Sequence, residues 1–166
     1  MYKRQVFIAY DFLGITDGID VLARLNDGTY YEDIFVSKLA QVMQDYGFNG
    51  WHGPDALGPS GALVRSDCSD SIMAQFAEYL GNKLPAEWVV TTGHDILKLQ
   101  KRMDYIWNHL WHEWVDFNML RWESFWRKIV NALRPLGKKT MINSSGTRAA
   151  FESINSTGMD LSLIHI

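Results

Sequence analysis

The stretch Gly47-Phe48-Asn49-Gly50-Trp51-His52-Gly53-Pro54-Asp55-Ala56-Leu57-Gly58-Pro59 decides how this chain is read. A helix pattern stops at Gly47, an apolar run follows through Phe48 to Trp51, and Gly-Pro punctuation then surrounds one His and one Asp. So short an apolar run, bounded by Gly and Pro, predicts a buried strand emptying into a loop. Trp51, His52 and Asp55 then stand at its C-terminal mouth. Open α/β sheets and (β/α)8 barrels both hold their ligands at that end.

Upstream, Val6 to Leu13 is a short apolar run closed by Gly14, and it predicts a buried parallel strand with Asp11 near its C-terminal end. Ile15 to Tyr31 reads as a polar loop. Glu32 to Tyr46 predicts a helix with Ile34, Phe35, Leu39, Val42, Met43 and Tyr46 on one face and Gly47 as its stop. Downstream, Ser69 to Leu80 predicts a second helix, N-capped by Ser69, with Ile72, Met73, Phe76, Ala77 and Leu80 inward. Trp88 to Thr92 has strand composition but is short and stays ambiguous.

From Asp95 to Arg134 there is neither Gly nor Pro. Ile96, Leu99, Met103, Ile106, Leu110, Trp114, Phe117, Arg121 and Phe125 trace a stripe that Ile129 and Leu133 extend. A pattern of about forty residues is long for a globular helix, so two helices or one bent helix are expected, turning between Trp111 and Asn118. Pro135 and Gly137 end it. Lys139 to Ser145 predicts the next strand, and Thr147 to Ile154 a further helix. Strand, helix, strand is the order of parallel α/β architecture. The expected fold is an incomplete (β/α)8 TIM barrel. Roughly eighty residues between the two best strands, against about 30 in a plain βαβ unit, imply a long helical insertion.

The termini have a separate reading. Met1 to Gln5 back-translates to GTG-TAT-AAG-AGA-CAG and Leu161 to Ile166 to CTG-TCT-CTT-ATA-CAC-ATC, near reverse complements. They resemble a sequencing-library transposon end read inward from both sides, so residues 1–5 and 161–166 are set apart as adapter-derived and 6–160 are expected to be a partial catalytic domain.

Composition excludes several classes. A formal net charge of -3 offers no basic excess to neutralise phosphates, so no nucleic-acid partner is expected. No apolar run nears the roughly 18 residues of a membrane span. The single cysteine, Cys68, rules out a disulfide framework and a multi-cysteine zinc site. His109, His112 and Glu113 match neither order of the zinc-helix motif, and no phosphate-binding glycine loop is present, so neither metal nor cofactor is expected. Localisation and oligomeric state are not readable. Aromatics are abundant at 13 % with seven Trp, but most fall at helical spacing and belong to a core; Trp51 alone stands at a strand mouth.

The rim residues carry two readings each. Asp55, in a loop stiffened by Gly53, Pro54, Gly58 and Pro59, is placed for attack on an anomeric carbon or for stabilising it. An Asp beside Pro and Gly also initiates turns. His52 suits a sugar hydroxyl or the orienting of Asp55, and Trp51 offers either a flat face for a pyranose or a core side chain. Asn143, Ser144 and Arg148 at the later strand's rim, with Asp11 at the first, are expected to bind substrate or to cap the chain locally.

Gly47 to Gly58 resembles a strand segment of bacterial TIM-barrel glycoside hydrolases that reads G-F-D-G-x-H-x-D, closest to the dextranase-like, α-glucan-active group. The resemblance implies a carbohydrate substrate and makes Asp55 the nucleophile. Asn49 replaces the motif's usual Asp, and Pro54 directly precedes Asp55. The leaving-group acid that such chemistry needs is expected on a strand beyond residue 160. A non-catalytic glycan-binding barrel and a barrel hydrolase of a non-sugar substrate are the alternatives, since fold does not fix function.

Overall fold

The computed structural model describes residues 9–11, 14–16, 21–53, 68–89, 96–143 and 161–163. In chain order the elements are β1 (Ala9–Asp11), β2 (Gly14–Thr16), α1 (Tyr31–Asp45), β3 (Gly50–Gly53), α2 (Asp70–Tyr79), α3 (Ala86–Val89), α4 (Ile96–His109), α5 (Trp111–Leu133), β4 (Lys139–Asn143) and β5 (Leu161–Leu163). A 3-10 turn, Arg134–Leu136, joins α5 to the chain before β4.

The barrel expectation is overturned. Strands form an antiparallel ribbon of β1 and β2 and a separate three-stranded parallel sheet in the order β3-β4-β5. Most of the remaining described chain is helical. Ala9–Asp11, the described part of the run expected as a parallel strand, pairs antiparallel instead: Ala9 with Thr16 and Asp11 with Gly14. A local hairpin satisfies these backbone groups over a few residues, without the loop-closure cost of a distant parallel partner. Gly50 to Gly53 does pair in parallel with Lys139 to Ile142, and Leu161–Leu163 lies along the far side of β4.

Helix α5 is the centre of the core. Its Trp114, Phe117, Phe125, Trp126, Ile129 and Leu133 are all buried. They meet Met73 and Phe76 of α2 and Met103 and Ile106 of α4 in one cluster. The Phe76 ring stands edge-on to Trp114 at 4.9 Å and 83°, the geometry aromatic quadrupoles favour. Each such side chain contributes roughly 1.5–3 kcal/mol of burial. The expected break in the long pattern falls at Leu110 (φ -136°, ψ 25°), just ahead of the anticipated span.

Three local readings change. Helix α1 buries Glu32, Val36 and Met43, while Ile34, Val42 and Tyr46 are exposed, so its inward face is rotated from the apolar one. Ser69 holds the N-cap position of α2 with no side-chain cap bond. The ambiguous run at Trp88 begins as the short helix α3, which Pro85 opens through its carbonyl to the Trp88 N–H at 2.9 Å.

Candidate functional site

The edge of interest is built by two successive helix-to-strand units. Helix α1 ends at Gly47, whose φ of +65° only glycine adopts at no cost; its N–H donates to the Gln44 carbonyl at 3.2 Å. β3 follows within three residues. Helix α5 ends through Pro135 and Gly137 (φ +68°) into β4. Lys139 N–H donates to the Asn49 carbonyl at 3.1 Å, and the register runs Gly50 to Lys139, Trp51 to Thr140, His52 to Met141 and Gly53 to Ile142. Since the strands are parallel, both leave the sheet at the same end, β3 after Gly53 and β4 after Asn143.

Alternation now fixes the phase that the sequence left open. Trp51 and its cross-strand partner Thr140 share a face. Thr140 is buried, and Trp51 is half-buried against the core cluster. His52 lies on the opposite face, exposed, beside half-buried Met141. Gly53 is buried at the exit. Gly50 admits no side chain, because a Cβ there would stand 2.7 Å from the Lys139 carbonyl oxygen.

Of the expected site residues, Trp51, His52 and Asn143 therefore come together on neighbouring strands. Asp11 does not join them in one sheet, since it belongs to the β1–β2 ribbon. Asp55, Ser144 and Arg148 lie outside the described residues.

A second constellation escaped the rim-centred reading. Glu32, at the start of α1, is 1 % exposed, yet it accepts from two cations on α5. Arg121 Nη2 donates to its Oε2 at 2.7 Å, and Lys128 Nζ to its Oε1 at 2.6 Å. Lys128 also donates to Asp33 Oδ1 at 2.6 Å, and Arg121 Nε to buried Gln75 Oε1 at 2.8 Å. Both cations sit over the Tyr30 ring, at 5.2 and 5.4 Å from its centre. Burial works to lower the Lys128 pKa, but hydrogen bonds to Asp33 and Glu32 outweigh it and hold the amine above the usual lysine value. Both carboxylate oxygens of Glu32 are engaged by cations, and the cluster acts as a clamp between α1, α2 and α5. Its one signal in the sequence was Arg121 within an apolar stripe.

Arg102 of α4 is a smaller case of the same kind. Fully buried, it donates to the Cys68 carbonyl at 2.8 Å and to Asp70 Oδ1 at 2.7 Å, pinning the start of α2. His109 ends α4 against the Tyr105 ring at 4.8 Å, while His112 and Glu113 are exposed on α5. Among the described residues no group of His, Cys, Asp and Glu is arranged to hold a metal ion, and no helix is long and apolar enough to cross a membrane. No protein-family model matches the chain, and neither a curated protein nor a solved structure matches it.

Proposed function

We propose that this chain carries the sugar-handling edge of a glycoside hydrolase, with Asp55 as the carboxylate that attacks the anomeric carbon. One observation supports the reading above the others. The stretch that resembles the glycosidase motif forms a strand, β3, in parallel register with β4. The two strands therefore end on the same side of the sheet, β3 at Gly53 and β4 at Asn143, the end at which α/β proteins bind their ligands. His52 is exposed on β3, on the face opposite Trp51, and would hydrogen-bond a sugar hydroxyl.

A non-catalytic glycan-binding role is the second reading, and one feature favours it. Asn143-Ser144-Ser145-Gly146-Thr147, leaving the neighbouring strand, contains hydrogen-bonding side chains but no acid to protonate a leaving group. Asp55→Asn separates the two, assayed beside the wild type on α- and β-glucan oligosaccharides for both hydrolysis and binding. A nucleophile's loss lowers turnover by several powers of ten and leaves binding nearly intact. Turnover within about tenfold of wild type, roughly 1.4 kcal/mol, removes Asp55 from the mechanism. Binding without any hydrolysis by the wild type supports the second reading.

A further inference from the structure

We propose that Leu110 is the hinge of a domain swap, through which two copies of this chain exchange halves while α4 and α5 straighten into one continuous helix. The local sequence does not call for a bend there. From Asp95 to Arg134 there is neither Gly nor Pro, and Leu110 alone separates His109, the last residue of α4, from Trp111, the first of α5. The helical ladder runs up to the bend and resumes after it. Leu110 N–H donates to the Ile106 carbonyl at 2.8 Å, and Trp114 N–H to the Leu110 carbonyl at 2.9 Å. Between them, Trp111, His112 and Glu113 open a new helix, so their N–H groups have no partner within it. Leu110 cannot supply one: its side chain holds no acceptor and makes no cap bond. A straight helix from Ile96 to Leu133, about 57 Å long, returns all three to the carbonyls of Trp107, Asn108 and His109.

Tertiary contacts hold the bend, and they divide at Leu110. Before it, α4 is fastened to the start of α2, since buried Arg102 donates to the Cys68 carbonyl and to Asp70 Oδ1. The Trp88 ring of α3 also stacks on Tyr105 of α4 at 5.1 Å. After it, α5 leads through Gly137 into β4, which pairs with β5. The two halves are then joined by contacts that each take one residue from either side of the hinge. Glu32 meets Arg121 and Lys128, and Gln75 meets Arg121. The rings of Phe76 and Tyr79 lie 5.2 and 5.7 Å from Phe117, and β3 pairs with β4.

These contacts select the occupant. The face of α5 that takes Glu32, Gln75 and Phe76 is matched by the same three residues of a second copy, which needs the first copy's α5 in return. A swapped dimer therefore keeps each of these contacts between chains instead of within one. It gives up the turn at Leu110, gains three helical hydrogen bonds per chain, and pays the entropy of association. It forms from unfolded chains rather than by opening of the folded one, because parting the halves uncovers Phe76, Trp114 and Phe117, all buried.

Refolding the whole chain from urea at low-micromolar and at near-millimolar concentration, followed by sedimentation velocity, tests this. The dilute sample should return monomer, and the concentrated one a dimer that dissociates slowly on dilution. Hydrogen exchange at the Trp111, His112 and Glu113 amides should be fast in the monomer and slow in the dimer. Leu110→Asn supplies the missing cap acceptor and a poorer helix former, so it favours the bend. With two hinges per dimer, the ratio of dimer to monomer at the higher concentration should fall at least about tenfold, while dilute refolding to monomer is kept. Monomer alone at both concentrations, a dimer whose amides at 111–113 exchange as fast as the monomer's, or a dimer yield unmoved by Leu110→Asn would each overturn the proposal. None of these outcomes depends on sugar binding or on Asp55.

Discussion

Replacing Arg121 by Met puts the clamp between α1 and α5 to a quantitative test. Met keeps the length and apolar stem of the side chain, so what is lost is the guanidinium. Glu32, 1 % exposed, then loses the donor on Oε2, and Gln75 Oε1 loses its donor at 2.8 Å. Removing one partner of a buried ion pair costs about 3–5 kcal/mol, because the remaining charge stays buried without compensation. Lys128 still holds Oε1, and its side chain is 34 % exposed, which places the expected loss near the lower end, about 3 kcal/mol. A chain of this size should then melt about 6–12 °C lower. Urea unfolding followed by far-ultraviolet circular dichroism and tryptophan fluorescence measures the loss directly. The double variant Arg121→Met with Glu32→Gln should lose less than the sum of the singles, by up to about 3 kcal/mol, since the uncompensated charge is gone. A loss below about 1 kcal/mol for Arg121→Met would put the pair among exposed ones. Strict additivity would refute the clamp altogether.

Two further expectations follow from the same geometry. Gly50→Ala forces a Cβ to within 2.7 Å of a backbone oxygen of β4; it should cost about 1–3 kcal/mol and speed hydrogen exchange at Trp51 and Met141, and unchanged exchange there would count against the register. Lys128 has a folded pKa above its ordinary value of 10.5, so its contribution is complete below that value and is lost as pH rises through the higher folded value. Alkaline unfolding monitored above about pH 10.5 should therefore begin earlier in wild type than the neutral-pH stability implies, and Lys128→Met should flatten that limb; an unaltered limb would show that the amine does not titrate with unfolding.

What was legible in the sequence is what hydrophobic periodicity alone controls. The stripe from Leu99 to Leu133 became the core, and the apolar run at Lys139 became β4. The helices after Glu32 and Ser69 were found to within a residue at each end. Periodicity failed where a charge faces inward. It treats Glu32 as solvent-facing and Ile34, Val42 and Tyr46 as core, whereas α1 is turned so that Glu32 meets two cations contributed from far along the chain. No window along the sequence holds that pairing. The barrel expectation failed for a related reason. A short apolar run such as that ending at Leu13 does not state its partner, and a hairpin return through Gly14-Ile15-Thr16 competes with a distant parallel strand. At the candidate site the sequence placed the strand mouths but could not phase Trp51, which needed its cross-strand partner Thr140.

The clamp and the strand pair are one arrangement seen at two heights. Glu32 and Arg121 are separated by 89 residues, and so are Gly50 and Lys139. Each helix therefore runs the same distance from its clamp residue to the paired position of its strand, and each passes through a left-handed glycine on the way, Gly47 in one unit and Gly137 in the other. A slip of one strand residue would flip every side chain of β3 to the other face, exposing Trp51 and burying His52. The ring pair of Phe35 on α1 and Phe125 on α5, 5.8 Å apart, joins the same two helices at an offset one residue larger. Register at the candidate site is thus set less by the few hydrogen bonds of a four-residue strand than by two helices locked one against the other through a buried charge. Apolar packing alone tolerates sliding by a turn at modest cost. A buried carboxylate whose two oxygens each require a cation does not, and that specificity is a physical reason for placing an expensive group between α1 and α5.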